Sequence, residues 1–329
     1  MRTRNGEWGM RNVDVFRNEG GFALLAVMLV LALLGTLVAE FAFSMRLEAT
    51  MVRSYKEGII GLHLAEAAVE QAIREILTDA PLLGVAGEEP LLTFFRSPAQ
   101  PFPRLPRAGV ALGPGQFAYR ISDEGGRLNL NTAPPDRVDR LLAALGLEKQ
   151  LRDTINASLQ DWKDPDELHR LNGAESEDTY LRLPVPYRSR NARLEEVAEL
   201  LQINGVTPIL YFGSAGQPGL AELVTVRGGG QVNINTAPEP VLRALALSEA
   251  EISQIVQSRR SAPYAAVPAQ FAGRGLTARS GIFRVEAEGW VGGEARARVL
   301  AIVQKTTGAP EGRPAAVILS WNPNPPAGR

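Results

Sequence analysis

From Phe22 to Ala39 the chain reads FALLAVMLVLALLGTLVA, without one charged residue. As an α-helix this run would be about 27 Å long at ~1.5 Å rise per residue, close to the ~30 Å hydrocarbon core of a bilayer. A soluble helix of that length carries a polar face. This run has none, so it is expected to cross a membrane once. No proline follows until Pro81, and one helix can therefore continue well past the lipid. Beyond the run, Leu47, Met51, Ile59, Leu62, Ala65, Val69, Ile73 and Ile76 recur at three- and four-residue steps among charged residues. That amphipathic stripe would lay the second half of the helix on a globular domain or on sister helices, with Gly58 and Gly61 as points where it can bend. His63 reads as an ordinary surface or interface residue.

The short segment before the run carries Arg2, Arg4, Arg11 and Arg17. Arginines there keep that end in the cytoplasm, and acidic residues count little against them, so the body lies on the far side. A secretory signal would show small residues after its apolar core. Here the small pair Gly20-Gly21 comes before it. For the rest, 329 residues give room for two or more domains besides the membrane helix. A net charge of −1 argues against nucleic-acid binding through a basic surface. The absence of cysteine excludes disulfides, thiolate metal sites and a cysteine nucleophile, and two histidines are too few for a histidine-based metal centre.

An internal repeat organises the middle of the chain. Gly125-Gly126-Arg127-Leu128-Asn129-Leu130-Asn131-Thr132-Ala133-Pro134 returns as Gly229-Gly230-Gln231-Val232-Asn233-Ile234-Asn235-Thr236-Ala237-Pro238. Leu128/Leu130 and Val232/Ile234 alternate as a short strand with one buried face. The asparagines and threonines are expected to cap and turn locally. Each strand is followed by two helical segments, Val138 to Leu145 then Ile155 and Leu159, and Val241 to Leu247 then Ile252 to Val256. This arrangement resembles a helix-hairpin-helix unit, which can grip phosphate through glycine amides. The turns here lack paired glycines and carry Glu148 and Glu249 beside them, so the hairpins are expected to be scaffold, with no nucleic acid bound.

Between the copies lies the loop Asp161-Trp162-Lys163-Asp164-Pro165-Asp166-Glu167, followed by Gly173-Ala174-Glu175-Ser176-Glu177-Asp178-Thr179-Tyr180. So many carboxylates repel one another unless water or a cation screens them. Calcium takes six to eight oxygen ligands and suits alternating acids, but the spacing is not that of an EF-hand. On the residues alone, a calcium site and a solvated acidic loop both remain open. His169 is expected to face solvent.

After the second hairpin the pattern becomes strand-like. Phe283, Val285 and Ala287 alternate with Arg284 and Glu286, Val291-Gly292-Gly293-Glu294 turns the chain, and Ala295 to Lys305 alternates again. Ala315 to Trp321 and Gln116 to Ser122 would add two more strands. The fold class is therefore α+β: a long N-terminal membrane helix packed on an antiparallel sheet, which the family resemblance described next implies is pilin-like, with an inserted mainly helical domain that holds the two helix-hairpin-helix-like repeats. The expected divisions are a leader 1–21, the helix 22–80, a split sheet domain 81–128 and 281–321, the insert 129–280 and a loose tail 322–329.

A basic leader ending in glycine, a phenylalanine opening the apolar run and an amphipathic extension resemble the class III signal of type IV pilins and pseudopilins. The resemblance implies cleavage between Gly21 and Phe22 by a prepilin peptidase and methylation of the new amino terminus. Most of that superfamily carry glutamate as the fifth mature residue, and here Ala26 stands there. That absence, the repeat, the Asp-Trp-x-Asp-x-Asp and Gly-Ala-Glu…Tyr elements and the segment Pro184 to Leu201 resemble the minor pseudopilin family called general secretion pathway protein K.

The family resemblance implies structural calcium at Asp161, Asp164, Glu175 and Asp178, with Glu177, Thr179 and the Tyr180 carbonyl as further candidates. It implies a non-enzymatic subunit of type II secretion, anchored by a single span in the bacterial inner membrane with its body in the periplasm. There it would cap the pseudopilus with the I and J minor pseudopilins and initiate the filament that exports folded proteins across the outer membrane. The alternatives are a minor pilin of a type IV pilus or DNA-uptake machine, against which the inserted block and acidic loop speak, and a membrane-anchored enzyme. Against an enzyme, there is no glycine-rich nucleotide loop, no Gly-x-Ser-x-Gly, no histidine metal motif and no triad.

Overall fold

The structure, a computed structural model, describes residues 19–86, 91–214, 216–306, 314–323 and 325. The expected leader up to Asn18 and most of the expected tail lie outside these residues. The chain divides into two compact units, Met1–Glu57 and Gly58–Arg329. Helix α1, Glu19–Ile76, contributes to both.

Within the first unit α1 is long and apolar enough to cross a membrane. Its large apolar side chains, Phe22 through Leu37, Phe41 and Phe43, are exposed, which is tolerable only in lipid or against another protein.

In the second unit the remainder of α1 is followed by β1 (Leu82–Ala86), β2 (Leu91–Ser97) and β3 (Gln100–Pro101), which form a three-stranded sheet. Strands β4 (Val110–Leu112) and β5 (Gly115–Asp123) follow. The helical region holds β6 (Leu128–Asn129), α2 (Pro135–Ala144), α3 (Lys149–Lys163), α4 (Pro208–Phe212), β7 (Gly213–Ser214), β8 (Gln217–Pro218), α5 (Leu220–Leu223) and β9 (Val224–Thr225). The second copy continues with β10 (Val232–Asn233), α6 (Glu239–Ala244), α7 (Glu249–Ser261) and β11 (Leu276–Thr277). Three long strands end the chain, β12 (Ile282–Val291), β13 (Glu294–Thr306) and β14 (Ala315–Asn322).

The main sheet has the order β14-β13-β12-β5-β4, every neighbour antiparallel. Its strands come from both sides of the helical region, because β5 pairs with β12 from Phe283↔Asp123 to Val291↔Gly115. Alternation decides which face is inside. Phe117, Tyr119, Ile121, Phe283, Val285, Ala287, Val299, Ala301 and Val303 are buried together with Leu64, Ala65, Ala68, Val69, Ala72 and Ile76 of α1. A second core, from Leu128 to Ala278, fills the helical region.

Three expectations need correction. The buried face of α1 is set by Leu64, Ala65, Ala68, Val69, Ala72 and Ile76, whereas Leu47 (51%) and Met51 (56%) are exposed; the expected stripe holds Ala65, Val69 and Ile76 of that face but begins too early. Gly61 is not a bend, since α1 is a single helix throughout. A Cβ there would meet Arg296 Cβ at 2.7 Å, and one at Gly289 would meet the Gly61 carbonyl at 1.8 Å. Two glycines thus let the helix backbone touch the β12–β13 hairpin. Finally, the asparagines and threonines of the repeat do not cap the helices: Pro134 and Pro238 occupy the N-cap positions of α2 and α6 without a side-chain cap.

Candidate functional site

The acidic loop begins where α3 ends. Asp161 and Trp162 are buried in its last turn and Asp164 is the C-cap. A carboxylate at a helix C-terminus meets the negative end of the dipole and needs a cation. Arg170 supplies it: its backbone N–H and Nη1 both donate to Asp161, at 3.1 and 2.7 Å, and Nη1 also pairs with Asp164. Gly173 closes over the same carboxylate, where a Cβ would lie 1.9 Å from Asp161 Oδ2. Only glycine fits there.

Glu175 is buried, and Ser189 Oγ donates to its Oε2 at 2.7 Å. Burial first, then the charges of Glu167, Asp161 and Asp164, push its carboxyl above the usual range, with the Ser189 hydroxyl opposing. Asp178 accepts from the Glu175 N–H (3.3 Å) and Thr179 Oγ1 (3.1 Å), while its Oδ2 pairs with His169 Nδ1 at 2.8 Å. The loop is pinned by aromatics. Tyr180 meets Trp162 edge-on at 5.3 Å and stacks on Tyr187 at 5.2 Å, and Trp162 Nε1 donates to Glu199 at 3.2 Å.

The structure thus brings Asp161, Asp164 and Glu175 into one electrostatic neighbourhood, with Asp178 tied to Glu175 through its backbone. Glu177 stands apart, exposed and paired with Arg188 at 3.2 Å. The Tyr180 carbonyl accepts the N–H groups of Leu183 and Tyr187, both at 3.4 Å. Among the described residues no three acidic or histidine side chains converge closely enough to hold a metal ion. Yet Asp164 Oδ1 and Glu175 Oε1 are buried without a hydrogen-bond partner. Unpartnered buried carboxylate oxygens are costly, and hard-oxygen donors left in that state fit a calcium ion. Arg170 and Ser189 were missed by sequence reasoning, and Gly173 was noted only within the Gly-Ala-Glu element; the one available signal was that a carboxylate in the last turn of a helix needs a nearby cation. Gly21 and Phe22, where cleavage is expected, lie in the first turn and a half of α1, and Phe22 is 78% exposed.

Each of the twin repeats is held to its own later segment through equivalent contacts. Asn129 Oδ1 and Asn233 Oδ1 accept from the N–H groups of Asn131 and Asn235, local turns as expected. The second asparagine of each pair reaches much farther. Asn131 bonds both N and O of Leu194 and the Val226 carbonyl; Asn235 bonds both N and O of Tyr264 and the Ala278 carbonyl. Strand β6 pairs in parallel with β9, and β10 with β11. At the boundary with the main sheet, Asp123 is buried and accepts from Gly125 N, Asn233 Nδ2 and Thr236 Oγ1 at 2.6–2.8 Å.

Two matches with models of the Type II secretion system (T2SS), protein K, cover residues 122–212 and 232–287. The chain is 32% identical over 269 residues to "Type II secretion system protein K" of Pectobacterium carotovorum subsp. carotovorum, covering 73% of this chain and 75% of that protein. The chain belongs to the type II secretion system protein K family. A second relative, of Pseudomonas aeruginosa, is 26% identical over 74% of this chain and 73% of its own length. A crystal structure described as the GspK-GspI-GspJ complex from enterotoxigenic Escherichia coli shares the fold, with TM-score 0.59 at 18% identity over 84% of this chain and 99% of that one. Membership makes the chain a minor pseudopilin of the type II secretion system, a structural component. The apolar half of α1 is consistent with a single-pass anchor.

Proposed function

We propose that the chain sits at the tip of the periplasmic pseudopilus, assembled with I- and J-type minor pseudopilins, and that it starts the filament which exports folded proteins across the outer membrane. Family membership together with a fold shared with GspK of a GspK-GspI-GspJ complex carries this reading. Residues 129–280 act as a separate inserted domain, bulky enough to stop another subunit stacking above it. The helix-hairpin-helix-like pairs are its scaffold, and no chemistry of catalysis is assigned to it. Prepilin peptidase removes residues 1–21, leaving Phe22 as the methylated amino terminus, with the apolar half of α1 in the inner membrane and the body in the periplasm.

The test is co-expression of the full chain with its I and J counterparts in the presence of the peptidase. A complex of the three, in which this chain has the mass of a form beginning at methylated Phe22, is expected. Failure to associate when all three are processed would refute the tip assembly.

We also propose a structural calcium ion held by Asp161, Asp164, Glu175 and Asp178, with Thr179 beside them and Glu177 and the Tyr180 carbonyl as peripheral candidates. Support comes from the two unpartnered oxygens at Asp164 and Glu175; Arg170 would have to yield its share of Asp161 and Asp164. A site with Kd near 10⁻⁴ M would add about 1.4 kcal/mol at ~1 mM free ion. Chelation should therefore lower the melting temperature of the purified protein. An unchanged melt would leave Arg170 as the loop's cation.

A further inference from the structure

The repeat extends beyond the two asparagine-rich strands. Thr225-Val226-Arg227, which begins at the last residue of β9, corresponds to Thr277-Ala278-Arg279, which begins at the last residue of β11, because Asn129 pairs with Thr225 and Asn233 with Thr277. The equivalence holds at atomic level. The Leu130 N–H donates to the Thr225 carbonyl at 2.9 Å, and the Ile234 N–H to the Thr277 carbonyl at 2.8 Å. The N–H groups of Arg227 and Arg279 each donate to the hydroxyl of their own threonine, both at 3.2 Å. Two copies of one Thr-x-Arg arm are thus held in the same way.

Both arms line one cleft of about 440 Å³, where Arg127 and Glu124 also contribute. Glu124 is already neutralised there: Arg284 Nε donates to it at 2.6 Å and Arg127 pairs with it. Arg127 also donates to the Glu222 carbonyl at 3.0 Å. Arg227 and Arg279 differ from it, because neither guanidinium has a hydrogen bond or ion pair among the described residues, although most arginines of this region are paired. Two uncommitted guanidinium forks in one polar cleft suit carboxylates, which they bind in bidentate fashion. The volume falls within the range of ligand sites and exceeds what a single small anion fills.

We propose that this cleft is a binding site for an acidic peptide segment of a partner protein, with Arg227 and Arg279 each taking a side-chain carboxylate. Nucleic acid is the less favoured polyanion, because the chain has a net charge of −1 and affinity for a phosphate backbone draws on a broad excess of positive charge. The site does not depend on where the subunit sits in the filament, so its failure would leave the tip assignment untouched.

The test uses the full chain in detergent and a fluorescent hexaglutamate peptide with blocked termini, read by anisotropy at low ionic strength. Binding is expected, and Arg227→Gln with Arg279→Gln should weaken it by at least about tenfold. Arg104→Gln with Lys149→Gln, which removes the same charge elsewhere, should leave it within about twofold. Should the double variant misfold, Gly229→Glu gives a second reading. A Cβ at Gly229 meets nothing within 4 Å, so the added carboxylate can compete for the arginines and should weaken binding too. The proposal is overturned by absent binding, by equal binding to a folded double variant or to the Gly229→Glu protein, by inorganic phosphate competing as well as the peptide, or by tighter binding of a hexathymidylate.

Discussion

Single residues carry the strain and the polar economy of the helical region. The turn between the paired helices needs one residue in the left-handed conformation, which is Gly146 in the first copy (φ 81°) and Ala246 in the second (φ 58°). An L-residue with a Cβ pays about 1–2 kcal/mol to sit there. Ala246→Gly should therefore raise stability by roughly 1 kcal/mol, and Gly146→Ala should lower it by a similar amount, both measured by chemical denaturation. A loss of stability in Ala246→Gly would show that the alanine methyl contributes packing the backbone argument omits. The turn positions were legible, since both end in a Leu-x-Leu step. The long reach of Asn131 and Asn235 was not, because a side chain's partners more than sixty residues or close to thirty residues away leave no local pattern.

Among the elements, the apolar junction of α1 with the sheet also holds a buried ion pair. Glu75 on α1 is buried and accepts from Arg107 Nη2 at 2.6 Å, Arg107 Nε at 3.1 Å and Tyr119 Oη at 3.0 Å, while Arg107 also donates to the Leu92 carbonyl at 2.9 Å. One carboxylate thus ties the helix to β2, β5 and the segment before β4. Glu75→Gln would leave a buried guanidinium without its counter-charge, at a cost of about 3–5 kcal/mol. Thermal melts of the purified protein check it, and a shift of under a degree would mean that water or another acid replaces Glu75. Glu75 carries no local mark in the sequence, because its partners Arg107 and Tyr119 lie 32 and 44 residues away. The strands β12, β13 and β14 were readable from period-two alternation and the Gly292-Gly293 turn, as was β5. Strands β1 to β3 were not, because Leu82, Leu83, Leu91 and Leu92 stand in adjacent pairs and show no clean alternation.

For the whole molecule, the sheet assembled from both ends of the chain could be read from where alternation stops and restarts, and the apolar run made a membrane anchor the simplest use of α1. The acidic loop was legible as a cluster of carboxylates, whereas its organisation around Arg170, Gly173 and Ser189 depends on tertiary packing. The account rests on the tip position, and Ala26 bears on it. A glutamate buried in lipid costs about 2.5–3.5 kcal/mol on insertion scales, and a subunit that enters first has no neighbour above to pair with it. The most direct measurement is electron microscopy of overproduced pseudopili in which this chain carries a C-terminal epitope detected by gold-labelled antibody. Label at one end of each filament is expected. Label distributed along the filaments would contradict the tip assignment.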